Sequence, residues 1–309
     1  MIKCSRGMNS FFGAYIMGEL SQEKQLILLD NVQFIYELAL AQLELQSLGV
    51  KFEVTNGLRE FRLFEAEDLE KARKRLAYFK CVAGKPTDYA RIIRKNRTRS
   101  VNQYLTHWIY PYKGKFHPQM IRALLNIIGV KAGDTILDPF VGSGTTALEA
   151  QLLGINCVGI DISPLCVLQA KVKTESVAVL PEIRQWKEEV ERKGETLEGD
   201  VPFIPEERVR NFYLMAKLVA TSDHARRRRD FAAAFLKNLD RMIASVTDYA
   251  EIVEELNLRL GHTDIRVGDS RLLPLARESI DGIITSPPYS IALDYVANDA
   301  HALMALGLS

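Results

Sequence analysis

The sequence predicts an α/β chain: a doubly wound parallel sheet interrupted by a helical insertion, with a small α+β domain in front of it. Three observations carry this. Residues Thr135–Glu149 read as an apolar strand, a turn on two glycines and a helix, the first unit of a Rossmann-like sheet, whose ligands sit at the strand's carboxyl end. Further strands, Asn156–Ile160 and Thr263–Gly268, each run into an aspartate, Asp161 and Asp269. Ahead of them, residues 25–82 alternate in the order β-α-β-β-α-β, which is that of a ferredoxin-like unit.

The N-terminal elements follow from periodicity. The apolar run Gln25–Asp30 predicts a strand, and Val32–Leu48 carries apolar residues at helical spacing. Lys51–Val54 and Arg59–Phe64 alternate in polarity around Thr55-Asn56-Gly57, a hairpin signal. An amphipathic segment, Glu67–Leu76, and a last apolar run, Tyr78–Val82, complete the unit. Gly84–Ser100 reads as a basic linker with Arg91, Arg94, Lys95, Arg97 and Arg99. It is either a solvated connector or a patch that tracks phosphates, with Tyr89 and Tyr104 placed to stack on bases. The predicted division is residues 1–100, the ferredoxin-like domain and linker, and residues 101–309, the α/β domain.

In the second domain Tyr112–Pro118 leads into an amphipathic helix, Pro118–Ile128, with Pro118 in the first turn, where no amide donor is lost. From Asp161 to Asp269 there are 108 positions, whereas a strand–helix–strand unit needs roughly thirty. The excess predicts an insertion over about 175–260. Glu182–Glu207, charged and carrying Pro202 and Pro205, is expected to be irregular, and Val209–Leu258 helical. Arg226–Arg229 reads as a solvated helix face or a phosphate contact. Asp281–Ile284 is a fourth strand, delivering Thr285-Ser286-Pro287-Pro288-Tyr289.

Composition narrows the partners. A net charge of +1 from 40 basic and 39 acidic residues leaves only local patches for nucleic acid. The four cysteines show no CxxC pairing, so neither a disulfide framework nor a zinc site is expected. Phe11–Met17 is too short to span a bilayer, and a cytoplasmic protein is expected.

The glycine turn is read by elimination. A Walker loop requires a lysine after its last glycine, where this chain has Thr145 and Thr146. A dinucleotide fingerprint tolerates Ala147, but Asp138, directly before the turn, repels a pyrophosphate. S-adenosylmethionine suits the arrangement. Its cationic end lies near Asp138, its carboxylate near the helix N-terminus at Thr145 and Thr146, its ribose hydroxyls at Asp161 and its adenine amine at Asp269. The glycines Gly142 and Gly144 permit close backbone approach. Pro139, Phe140, Ile162 and Ser270 occupy the same turns and complete the candidate cofactor set.

With Ser286-Pro287-Pro288-Tyr289 the chain resembles the methyltransferases that act on exocyclic amino groups of nucleobases, the DNA N4-cytosine/N6-adenine methylase family. The likeness runs from Lys113 to about Leu308 through Lys115-Phe116-His117-Pro118, Asp138–Thr146, Leu272-Leu273-Pro274 and Thr285–Tyr289. In that family a serine before the two prolines is typical of cytosine-N4 enzymes. The residue types suit the chemistry, since an exocyclic amine shares its lone pair with the ring. Acceptors for both amine protons, Ser286 Oγ and the Pro287 carbonyl, localise that pair. Two prolines preset the geometry, and Tyr289 stacks on a base turned out of its helix.

The resemblance favours DNA. A weaker resemblance of residues 25–82 to the front of THUMP-type tRNA guanine-N2 methyltransferases keeps RNA as the alternative, and a non-catalytic nucleic-acid-binding subunit stands as the non-enzyme reading. A sheet of this class has roughly three more strands after the fourth. The chain is therefore expected to be truncated, or complemented by a second chain that covers the apolar sheet edge.

Overall fold

The computed structural model describes residues 25–55, 59–194, 204–287, 300, 302–304 and 306–307. The chain divides into two compact units, Met1–Arg94 with Gln119–Gly129, and Lys95–Pro118 with Val130–Ser309.

The first unit contains β1 (Gln25–Leu28), α1 (Ile35–Ser47), β2 (Val50–Thr55), β3 (Glu60–Ala66), α2 (Leu69–Arg75), β4 (Phe79–Val82), β5 (Lys85–Pro86), α3 (Asp88–Ile92) and, from Gln119 onward, α4 (Pro118–Ile127). Its sheet has the order β2-β3-β1-β4-β5, with every pairing antiparallel. The alternation read along β3 holds, for Phe61 and Leu63 are buried and Phe64 is exposed. Helix ends are set by side chains that satisfy orphan amides: Glu37 Oε2 accepts from Gln33 N at 2.7 Å and Phe34 N at 2.9 Å, and Asp68 accepts from Lys71 N at 2.8 Å. Asn56 and Gly57 of the hairpin signal lie outside the described residues, but the strands they join pair as expected, with a register shift between Lys51 and Phe52.

A buried carboxylate holds this unit's helices together. Glu44 of α1 accepts from Ala77 N (2.9 Å), Tyr78 N (2.9 Å) and Asn126 Nδ2 of α4 (3.1 Å). Arg122 of α4 reaches the Arg75 carbonyl at 3.2 Å, and its guanidinium lies over the Tyr89 ring at 5.3 Å. Tyr89 is therefore a core residue and not a base-stacking one. Residues 85–92, read as linker, form β5 and α3 because Thr87 caps α3 at Ala90 N and bonds the Phe79 carbonyl at 2.6 Å.

The second unit is built on β6 (Thr135–Asp138), α5 (Thr145–Leu152), β7 (Asn156–Asp161), α6 (Pro164–Glu175), α7 (Leu180–Gly194), α8 (Glu207–Arg227), α9 (Phe231–Glu255), β8 (Thr263–Val267) and β9 (Gly282–Ile283). The four strands run in the order β8-β7-β6-β9, all parallel. Parallel strands covered on both faces require continuous apolar runs, which Ile136, Leu137, Cys157 and Ile160 supply.

The insertion is helical, and its core joins Phe212, Tyr213, Phe235 and Met242 to Leu165 and Val172 of α6. Residues 182–194 are helix, contrary to the expected irregularity. The prolines that suggested it, Pro202 and Pro205, lie beyond the end of α7.

The basic stretch 95–100 is fastened to α9. Lys95 pairs with Glu251 at 2.6 Å, and Arg97 grips Asp248 through two bonds of 2.5 and 2.9 Å. These cations are thereby neutralised. Arg226–Arg229 closes α8, where cations suit the helix dipole; Arg228 takes a left-handed cap, and Arg227 and Arg229 both pair with Asp223. Cys81 is disulfide-bonded, with its partner outside the described residues, a correction to the reading from spacing. Among the described residues no helix is long and apolar enough to cross a membrane.

Candidate functional site

Because β8, β7, β6 and β9 are parallel neighbours, their carboxyl ends share one edge, and the candidate residues gather there. Asp138 ends β6 and Asp161 ends β7; Asp269 and Ser270 follow β8, and Ser286 and Pro287 follow β9. Successive strands step outward from β6 through β7 to β8, and β9 then returns to the other side of β6. That reversal is where open α/β sheets form their crevice.

The glycine loop is held from several directions. Gly142 and Gly144 have φ of +48° and +78°, a left-handed geometry that other residues adopt only with strain. A Cβ on Gly144 would lie 2.7 Å from the Cα of Ala170 on α6, so only glycine permits this approach. Gly142 N donates to Asp161 Oδ2 at 2.9 Å, while Asp161 Oδ1 accepts from Ser163 N at 2.9 Å. Asp161 thus ties the loop to the end of β7. Thr145 and Thr146 open α5 and are buried. Phe140 is half-buried, and Ile162 presents an apolar side chain that is 75% exposed beside Asp161.

Asp138 is 1% exposed. Burial lifts its carboxyl to about 6, and the nearby Asp161 pushes the same way, against hydrogen bonding from Thr146, Phe140 and Thr285. Asp161 is also raised by burial. Among the described residues no basic side chain pairs with either group. Asp269 differs, because Arg271 grips it through Nε and Nη2 at 3.0 and 2.6 Å and holds its carboxyl down at about 2. Ser286 is half-buried and Pro287 exposed; Pro288 and Tyr289 lie outside the described residues.

A second, buried layer lies behind the loop. Glu149 Oε1 on α5 accepts from Tyr104 OH at 2.6 Å and meets His107 Nε2 at 2.8 Å. Tyr104 is therefore a positioning residue of the interior and not a base-stacking one. Burial drives His107 down to about 4, despite its bond to Glu149. Lys115 donates to the His107 carbonyl at 2.6 Å, and burial lowers its amine to about 7. Lys173 of α6 donates to the Ser143 carbonyl at 2.8 Å. Tyr112 lies against Gly142, its Cε1 3.3 Å from where a Cβ would be. None of these contacts has a local sequence signature, since each spans many residues. Among the described residues no group of acidic, histidine and cysteine side chains could hold a metal.

The matching family is that of the DNA methylases. Its model covers residues 60–172, or 113 of the 309, from β3 through the glycine loop and Asp161 into α6. The match ends before Asp269 and Ser286. The chain is also similar, over short stretches, to curated proteins of two kinds. One is the type II methyltransferase M.MjaII of Methanocaldococcus jannaschii, 48% identical over 81 residues, or 26% of this chain and 14% of that protein. Another is the type II methyltransferase M.BsoBI of Geobacillus stearothermophilus, 52% identical over 64 residues, 21% of this chain and 12% of that protein. The second kind is the tRNA (guanine(10)-N2)-dimethyltransferase of Methanothermobacter thermautotrophicus, 41% identical over 71 residues, 23% of this chain and 20% of that protein. The matched stretches thus span a fifth or less of these relatives' own lengths. Both resemblances read from the sequence, to the DNA methylases and to tRNA guanine-N2 methyltransferases, are borne out by these matches.

Proposed function

We propose that the chain transfers a methyl group from S-adenosylmethionine to an exocyclic amino group of a nucleobase, with cytosine N4 in DNA favoured. The observation that carries the cofactor reading is the pair of adjacent carboxylates, Asp138 and Asp161, both shifted upward and both lacking a basic partner among the described residues. Two like charges at a half-closed strand edge call for a cation between protein and solvent. S-adenosylmethionine has an ammonium and a sulfonium, and bound there it supplies an electrophilic methyl group. Asp138 would hold the cationic end, the amides at the start of α5 the carboxylate, and Asp161 the ribose. Ile162 offers the adenine an apolar face. Asp269 would reach the adenine amine only in exchange for part of its pairing with Arg271.

Ser286 and Pro287 follow the strand next to Asp138, at the switch point. In this reading their oxygens accept hydrogen bonds from the two N–H groups of the target amine, which turns its lone pair toward the methyl donor; one amine proton is released to solvent on transfer, and no covalent nucleophile is needed. The serine and the type II methyltransferase relatives support DNA. A ferredoxin-like reading of the first unit, supported by its strand order β2-β3-β1-β4, and the tRNA methyltransferase relatives support RNA as the second reading.

The test has two stages. The full chain is titrated with S-adenosylmethionine by calorimetry, and binding is expected. It is then incubated with labelled donor and total DNA or total RNA, and the digested nucleosides are separated. Labelled N4-methylcytosine from DNA is expected; labelled N2-methylguanosine from RNA would move the assignment to the second reading, and no transfer to either pool would remove the enzyme reading. Ser286→Ala should slow transfer by roughly 10- to 100-fold with cofactor affinity unchanged.

A further inference from the structure

Lys173 is fully buried and has no carboxylate partner among the described residues. Its amine donates at 2.8 Å to the carbonyl of Ser143, the residue between Gly142 and Gly144. The helix that carries it is pressed onto the same loop, with Ala170, one turn earlier, filling the space where Gly144 would have a Cβ. The Lys173 carbonyl is fixed in turn by Thr106 Oγ1 at 2.8 Å. On the other side of Ser143, the amide of Gly142 is held by Asp161 Oδ2 at 2.9 Å, and Gly144 N turns back onto Val141 O at 2.8 Å. Besides the backbone bond of Val141 N to Ile160 O at 2.9 Å, the loop has two side-chain anchors among the described residues: the Asp161 carboxylate at the ligand edge, and an amine reaching from behind.

An unpaired buried amine is a poor way to stabilise a fold, because an apolar side chain of similar length would avoid the cost of desolvating it. Burial drives the Lys173 amine well below its ordinary range, and neighbouring Lys115 pushes the same way. A group kept against its own desolvation cost points to a task in the site. The task compatible with its one hydrogen bond among the described residues is to set the peptide planes around Ser143, and with them the amides of Gly142, Gly144 and Thr145.

We propose that Lys173 is a positioning residue of the cofactor loop, which it preorganises through the Ser143 carbonyl without touching the cofactor. This rests on the cofactor reading above. Its signature is a separation of affinity from stability. Lys173→Met keeps the length and removes the amine. It should weaken binding of S-adenosylhomocysteine, measured by calorimetry on the full chain, by about tenfold or more, as loss of one buried bond to the loop implies. The melting temperature should stay level or rise. Amide exchange should quicken at residues 142–146 and stay unchanged in β7 and α9.

A merely structural lysine would lower affinity and melting temperature together, and that result would overturn the proposal, as would unchanged affinity in the variant. Should Lys173→Met fail to fold, Lys173→Gln is judged by the same measurements; failure of both to fold makes the lysine a fold requirement and likewise overturns it. If the unaltered chain binds no S-adenosylhomocysteine, the cofactor reading falls first and takes this inference with it.

Discussion

Two buried carboxylates, one in each unit, make an instructive pair. Glu44 and Asp138 are both almost inaccessible and both shifted upward by burial, to about 7 and about 6. By the shift alone either could be a functional site. Their partners separate them. Glu44, on α1, accepts from two backbone amides and the Asn126 side chain, donors drawn from α4 and the chain before β4. Asp138 accepts one amide, from Phe140 at 3.2 Å, is hydrogen-bonded by the Thr146 and Thr285 side chains, and has a second carboxylate, Asp161, nearby. What separates the two is the charge beside them: Glu44 has the Arg122 guanidinium nearby, whereas Asp138 has the carboxylate of Asp161.

Removing each side chain should break the molecule in different ways. Glu44→Leu strands Ala77 N, Tyr78 N and the Asn126 amide in the interior, at about 1–3 kcal/mol for each orphaned donor. A total loss of roughly 3–5 kcal/mol is expected in urea unfolding. Asp138→Asn should do the opposite. It relieves repulsion from Asp161, so stability should hold or rise, while cofactor affinity falls by roughly 30- to 100-fold with the lost charge–charge contact. If Asp138→Asn destabilised the chain as much as Glu44→Leu, the distinction between the two carboxylates would be lost.

The placement of the candidate residues could be read from the sequence because it is local. Strand periodicity followed by Gly142 and Gly144 marks a turn, and Asp138, Asp161 and Asp269 each sit at the end of an apolar run, so parallel pairing alone brings them to one edge. The element order of residues 25–82 was legible for the same reason. Contacts across long separations were not legible. Nothing in Glu44 or Lys173 distinguishes them from surface residues of a helix, because their burial depends on which helices pack over them. Tyr89 and Tyr104 misled for that reason; their basic neighbours suggested a nucleic-acid surface, yet Arg122 covers one ring and Glu149 takes the hydroxyl of the other.

Acidity offers a way to titrate the comparison. Each carboxyl has a folded value above its ordinary one, so between them the folded chain binds more protons than the unfolded chain, and stability falls as pH rises. For Glu44 the window runs from about 4.5 to about 7, and for Asp138 from about 3.8 to about 6. Stability should therefore be greatest below about pH 3.8 in respect of these groups and decline toward neutrality, by up to roughly 3 kcal/mol for each of them. Glu44→Gln should flatten the upper part of that decline. Cofactor affinity should move the other way, rising with pH as Asp138 ionises, and Glu44→Gln should leave that rise intact. An affinity independent of pH across this range would argue against Asp138 as the cation's partner.

The smallest expected effect concerns a polar group that neither the fold nor the proposed chemistry uses. Gln169, one turn before Lys173 on α6, is fully buried, and neither its Nε2 nor its Oε1 is hydrogen-bonded among the described residues. Lys173 at least reaches Ser143. If Gln169 has no ligand-directed role, replacing it by leucine removes two desolvated, unpaired atoms at nearly constant volume and should stabilise the chain by about 1 kcal/mol, with cofactor binding unchanged. A fall in both stability and affinity on Gln169→Leu would instead mean that the glutamine completes a hydrogen-bonded layer beneath the loop. Lys173 would then be one member of a polar support extending along this face of α6, and the loop's preorganisation would be shared between them.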